Sequence, residues 1–169
     1  MRRPWFTCQP VDESFFETAP VRLRSKFDVR LSAAKVWEEL TGDDALSWCR
    51  ILQDVTWTSP RPFGVGTTRA VNALWGANLL KERYFLWEEG RRHSFCLLQS
   101  TAPLFRSLAE DYLVEPTSED ACRFTWTIAL EPTPAGRLST PLNRMLLKTL
   151  FTDTALHYGL SPSALAQTP

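Results

Sequence analysis

Between Ile51 and Glu131 the chain reads as one continuous series of strand signals, and only past Glu131-Pro132-Thr133-Pro134 does its period become that of a helix. This one change of period limits the fold more than any motif. Turn chemistry at Ser59-Pro60-Arg61-Pro62-Phe63-Gly64-Val65-Gly66, Trp75-Gly76, Gly90 and Thr117-Ser118-Glu119-Asp120 cuts the run into six antiparallel strands. Their expected bounds are about 51–58, 66–74, 78–88, 92–100, 106–115 and 121–131. In the last, Cys122, Phe124, Trp126, Ile128 and Leu130 share one face while Arg123, Thr125, Thr127 and Glu131 take the other.

A seventh strand precedes them, because Val21, Leu23, Ser25, Phe27 and Val29 alternate with Arg22, Arg24, Lys26, Asp28 and Arg30. Ser32 is placed to cap a short helix whose Val36, Trp37 and Leu40 share a face, with Gly42 as a left-handed stop. Asp43 or Asp44 is placed to start a second short helix carrying Leu46, Trp48 and Cys49. At the far end Thr140 is the expected cap of one long helix, with Pro141 at its first position. Leu142, Met145, Leu146, Leu150 and Tyr158 recur along it until Gly159. Residues 1–20, with Phe15-Phe16 among acids and prolines, read as an arm packed on a domain spanning 21–159, and 160–169 as a tail that frays from Ser161.

The resulting fold class is α+β. A curved seven-stranded antiparallel sheet with an apolar face must be covered, and only the last helix is long enough to do it. The 169 residues, 44% hydrophobic and 12% aromatic, suffice for one core. A bent sheet around a single helix closes poorly, so inward aromatics are expected to line a cavity between the two.

Other classes fit badly. Nineteen basic and nineteen acidic residues cancel, so nothing in the overall charge favours nucleic acid or an anionic membrane. The longest apolar runs are tetrads such as Tyr84 to Trp87, far below the ~20 residues of a bilayer span. The first residues lack the apolar stretch of a secretory signal, so a cytoplasmic location is expected. Cys8, Cys49, Cys96 and Cys122 form no C-x-x-C pair and are expected reduced. His93 and His157 stand 64 residues apart, which leaves no metal-ligand spacing, and no metal or other cofactor is expected. Gly64-Val65-Gly66 lacks the lysine and helix of a phosphate loop and reads as a hairpin.

Several segments in this order resemble the polyketide cyclase/dehydrase-like members of the SRPBCC (START/Bet v 1-like) helix-grip superfamily. They are Ser32-Ala33-Ala34-Lys35-Val36-Trp37-Glu38-Glu39-Leu40, Trp48, Gly64-Val65-Gly66, Glu82-Arg83, Tyr112-Leu113-Val114-Glu115 and Phe124-Thr125-Trp126. The resemblance covers about 21–158. It implies a helix-grip fold and a hydrophobic small molecule, aromatic or polyketide-like, held in the cavity; some members are cyclases, others carriers or sensors. A monomer or homodimer is expected. A protein-interaction module with a vestigial cavity is the alternative.

The resemblance also implies that Arg83 points into the cavity, where a cation would polarise a carbonyl or hold an enolate. The residues themselves leave this open, because Leu80, Tyr84 and Leu86 lie on one face of that strand and Leu79, Phe85 and Trp87 on the other. Glu110 shares a face with Leu108, Tyr112 and Val114; turned inward, it is a carboxyl of raised pKa able to act as acid or base. A bulge would instead leave it wet. Tyr112 is the second candidate proton carrier. Gln99 and Phe105 are expected near the cavity mouth, with Phe124, Trp126 and Trp87 as aromatic lining, although an inward Trp is also ordinary core. His93 is expected near the Gly90 turn and solvated, and Asn143 either toward the pocket or in a wet first helical turn.

Overall fold

The computed structural model describes residues 3–138 and 140–161. Four helices and eight strands follow in the order β1 (Phe6–Thr7), α1 (Phe15–Thr18), β2 (Val21–Val29), α2 (Ala33–Thr41), β3 (Leu52–Trp57), β4 (Thr68–Ala73), β5 (Asn78–Glu88), β6 (Arg92–Ser100), β7 (Phe105–Ser118), β8 (Ala121–Pro132), α3 (Pro134–Leu138) and α4 (Thr140–His157). Seven strands form one antiparallel sheet in the order β2-β8-β7-β6-β5-β4-β3, with β1 added against β6. This is the helix-grip arrangement, a curled sheet holding a long C-terminal helix.

The alternation in β2 and β8 sets the register Val21↔Leu130 through Val29↔Cys122 and turns Phe27, Phe124, Trp126 and Ile128 into the core at 0% exposure. Val36 and Leu40 of α2 and Leu150, Phe151 and Ala155 of α4 close on them. The outer face is dressed separately: Phe16 and Ala19 of the arm pack on Cys96, Ala109 and Ala129, three small residues that let the arm lie close. For that reason alternate positions of β8 that were expected to be wet, such as Thr125 and Thr127, are buried.

Local chemistry departs from expectation at three points. Ser32 does cap α2, its hydroxyl accepting from Lys35 N–H at 3.3 Å, but Gly42 ends it at φ −73°, ψ 178°, extended and not left-handed. Glycine is needed there because a Cβ would meet the Glu38 carbonyl oxygen at 2.8 Å. The expected second short helix is instead a set of turns, Ser47 N–H donating to Asp44 and Cys49 N–H to Leu46, with Leu46 at φ 60°. Leu142 and Met145 of α4 are exposed, while Leu146, Leu147, Leu150 and Phe151 face the sheet. Gly159 takes φ 69° just past the helix, the left-handed stop expected there. The capping side chain expected of Thr140 and the tail beyond Ser161 lie outside the described residues.

Candidate functional site

A cavity lies between the sheet and α4. It is narrow: about 90 Å³ is open to the centre of a water molecule, inside about 730 Å³ of unfilled space once its mouth is counted. The larger figure falls within the range of small-molecule pockets, and the smaller means that a ligand must push side chains aside to settle. Leu146, Leu147 and Leu150 of α4 form the roof; Val71, Ala73, Leu80 and Leu108 form much of the floor; Leu104 and Phe105 stand at one side. Leu46 and Ile51, from the turns after α2, complete an apolar wall.

Charged groups enter this cavity from β4, β5 and β7. The Arg69 Nε–H donates to Glu82 Oε2 at 2.6 Å, and the two side chains are only 2% and 4% exposed. The guanidinium carbon sits 4.1 Å from the centre of the Phe95 ring, a cation–π contact. Burial opposes the charge on Arg69, but the Glu82 carboxylate outweighs it and holds the guanidinium firmly protonated. Arg69 Nη1 is buried and has no partner among the described residues.

Beside this pair, one oxygen of Glu110 receives two hydrogen bonds, from Tyr112 Oη–H at 3.0 Å and Trp126 Nε1–H at 2.9 Å. Burial, reinforced by the Glu82 charge and opposed by Arg69 and the two donors, pushes the Glu110 carboxyl up to about 7. It is therefore poised to exchange a proton near neutral pH. Burial and the Glu110 charge drive Tyr112 upward, so it stays a donor. The cavity thus has a greasy body and one end with a paired cation, a titratable acid and an unmatched donor.

Of the residues singled out in the sequence, Glu110, Phe105 and Trp126 line the cavity, and Tyr112 stands behind Glu110. Phe124 is solid core, stacked on Phe27 at 5.4 Å. Arg83 is exposed on the outer face opposite Cys96, so the inward position implied for it falls to Glu82. Gln99 also lies outside, accepting from Lys81 Nζ at 3.1 Å, because a register shift between Leu97 and Gln99 flips the facing of the strand end. A matching shift between Tyr84 and Leu86 turns Trp87 inward, where it packs on Trp37 and Tyr84 away from the cavity. His93 is not solvated: it is 0% exposed, stacked on Trp87 at 5.2 Å, with both ring nitrogens unpartnered among the described residues. Burial and the nearby Arg69 charge depress it to about 3.

Two central residues escaped the sequence reading. Arg69 shares its face of β4 with Val71 and Ala73, and Glu82 shares its face of β5 with Leu80 and Tyr84. A cation and an anion, each alone on an apolar face of what becomes a neighbouring strand, was the available signal. Asn143 of α4 and Asn78 of β5 also reach the cavity.

The profile of the polyketide cyclase/dehydrase and lipid transport family matches residues 20–157 of this chain. The chain belongs to that family. Uncharacterized proteins of Mycobacterium tuberculosis and Mycobacterium bovis are 36% identical to it over 125 residues, which is 73% of this chain and 74% of theirs. A START superfamily protein from Mycobacterium smegmatis superposes with a TM-score of 0.66 at 12% identity, covering 82% of this chain and 97% of that one. The major latex-like protein 151 of Panax ginseng does so with 0.57 at 18%, covering 82% and 97%. These structural likenesses establish the shared fold. As a polyketide cyclase/dehydrase and lipid transport family member with an apolar cavity, the chain fits a hydrophobic-ligand-binding role. No helix among the described residues is long and apolar enough to cross a membrane, and none of their His, Cys, Asp or Glu side chains group to hold a metal ion.

Proposed function

We propose that this chain binds a hydrophobic, aromatic or polyketide-like small molecule between the sheet and α4, with one ligand oxygen seated at the Arg69–Glu110 end. The observation that carries the reading is the buried guanidinium, whose Nη1 has no partner although Arg69 lines an apolar cavity. A buried donor without an acceptor costs about 1–3 kcal/mol, more when charged, which an incoming oxygen relieves. A ketone or hydroxyl oxygen suits the place better than a carboxylate, because Glu82 already balances Arg69 and Glu110 adds negative charge above pH 7.

The same pair supports enolisation, and the titration of Glu110 near 7 is what favours it. With the ketone oxygen on Arg69, ionised Glu110 takes the α-proton and the C–H electron pair becomes the enolate. The enolate carbon then attacks a second carbonyl of the same chain, forming the ring C–C bond. Protonated Glu110 returns its proton to the new alkoxide, and loss of that hydroxyl with an adjacent proton releases water. Arg69 thereby takes the part that the family resemblance implied for Arg83. An interaction module with a vestigial cavity is disfavoured because the space is not filled by side chains.

The test is titration with 2-naphthol, an aromatic ring bearing one hydroxyl, read by quenching of tryptophan fluorescence, since Trp126 is a cavity wall. Ala73→Phe fills the floor without touching a polar group. It is expected to weaken binding at least tenfold while the melting temperature stays level or rises. Equal binding by both proteins would place the ligand elsewhere and overturn the proposal.

A further inference from the structure

The β6–β7 ladder stops early. Its last partners are Cys96 and Ala109, although β6 continues to Ser100 and β7 begins at Phe105. The space between the two strand ends is taken by the N-terminal arm, which lies outside the family match. Phe6 pairs with Ser100 and Thr7 with Gln99, and Cys8 N–H donates to the Leu98 carbonyl at 2.9 Å. On the other side Gln9 N–H donates to the Arg106 carbonyl at 2.7 Å and Ser107 Oγ–H donates to the Gln9 carbonyl at 3.1 Å. The arm is thus an inserted strand between two strands that elsewhere bond to each other directly.

This insert is lightly held and separately anchored. Trp5 and Phe6 are 40% and 38% exposed, and of residues 3–9 only Cys8 is buried in the inner core. The arm's later residues are fixed independently, Phe16 and Ala19 lying on the outer face of the sheet. Residues 3–9 can therefore leave without dislodging α1. Directly behind them is the cavity: Leu80, the partner of Ser100, lines it, as do Leu104, Phe105 and Leu108 on the other side of the gap. When the insert leaves, the freed carbonyls of Leu98 and Arg106 meet water, which limits the free energy of opening.

We propose that residues 3–9 form a detachable strap over a side entrance to the cavity. Its release parts the ends of β6 and β7 between the Cys96–Ala109 pair and the 101–104 loop, and the ligand enters past Phe105. The proposal rests on the ligand-binding reading above, and it gives the arm a kinetic role, in which it sets how fast the cavity fills and leaves the affinity unchanged.

Two variants drive the strap in opposite directions. Thr7 and Gln99 face each other across an antiparallel pair on the outer side, at a separation a disulfide can span, so T7C/Q99C staples the strap shut when oxidised. Gln9→Pro removes the one backbone N–H donated to β7 and frees it. In stopped-flow mixing with 2-naphthol, the oxidised staple is expected to slow association and dissociation at least tenfold with an unchanged dissociation constant, and reductant to restore both rates. Gln9→Pro is expected to speed both about fivefold, the worth of one backbone hydrogen bond. Rates indifferent to the staple would overturn the strap and leave the binding site standing. Should no variant bind 2-naphthol, the binding reading fails, and amide exchange of the unmodified protein decides the strap. Exchange of the Cys8 and Gln9 amides at least a hundredfold faster than that of Ile128 supports it; equal protection overturns it.

Discussion

Glu110→Gln is expected to stabilise this protein above neutral pH, the reverse of the usual result when a buried hydrogen-bonded acid is replaced. In the folded chain Glu110 holds its proton up to about 7, whereas an ordinary carboxyl loses it near 4.5. Between those values the native state binds more protons than the unfolded state, so stability falls as pH rises. The contribution of Glu110 is fully present below about 4.5 and lost above about 7. At 1.36 kcal/mol per pH unit, deprotonating the folded carboxyl removes about 3 kcal/mol. Glutamine resembles the protonated acid: its oxygen can accept from both Tyr112 and Trp126, as one Glu110 oxygen does now, and it never ionises.

The variant should therefore exceed the native protein by about 3 kcal/mol at pH 8 and by less than about 1 kcal/mol at pH 5. For a chain of this size that is roughly a 9 °C higher melting temperature at pH 8. The comparison must be made as a difference at each pH, because His93 tilts the raw profile the other way. Its depressed pKa, about 3 against 6.5, makes stability rise with pH across that window, and it is common to both proteins. Urea denaturation of both proteins from pH 5 to 8 measures the gap. A gap that does not widen with pH, or a variant less stable at pH 8, would refute the idea that Glu110 is a strained acid at the end of an apolar cavity.

His93→Phe should gain about 2 kcal/mol at pH 5 relative to its effect at pH 8, since it removes an imidazole that must stay neutral when folded; parallel melts at the two pH values read this directly. Arg69→Met alone should cost about 3–5 kcal/mol by leaving Glu82 buried and unpaired, whereas Arg69→Met with Glu82→Leu should recover most of that and still fail to bind 2-naphthol, measured by urea denaturation and fluorescence titration. Gly136→Ala places a Cβ 1.9 Å from the Leu104 carbonyl oxygen, so α3 must lift off the loop beside the cavity, at a cost of about 1–3 kcal/mol in the same denaturation assay.

The strands were legible because their faces differ in hydrophobicity over many residues. β2 was expected at its observed bounds, and β5 and β6 as well, since each is flanked by glycine or charged turn residues and carries an unbroken period. The stretch after α2 misled because Asp43-Asp44 is a good helix start, yet the following residues adopt turns that send Leu46 into the cavity wall. That choice is made by tertiary packing, which no local propensity records. On α4 the apolar residues run most of the way round, so the periodicity that located the helix did not say which of Leu142, Met145, Leu146 and Leu147 would face inward.

The site was harder to read than the fold for a reason built into sheets. A side chain's facing is a parity, and one extra residue inverts it for everything beyond. β5 and β6 each carry such shifts, and every misplaced residue on them lies where parity was counted across one: Gln99 beyond the shift after Leu97, Trp87 beyond the shift after Tyr84. Glu110 was placed correctly because β7 pairs with β8 in unbroken register from Ser107 to Pro116. Arg69 and Glu82 were legible in principle, but only as a pair: each alone reads as a charge on a solvated edge, and their value appears when the register Arg69↔Glu82 sets them opposite one another on the inner face. An apolar strand face interrupted by one charge is thus best read against the faces of its neighbours, since an opposite charge at the paired position turns two improbable burials into one ion pair. Such a pair fixes one end of a cavity as polar, and so fixes which way round a ligand must lie.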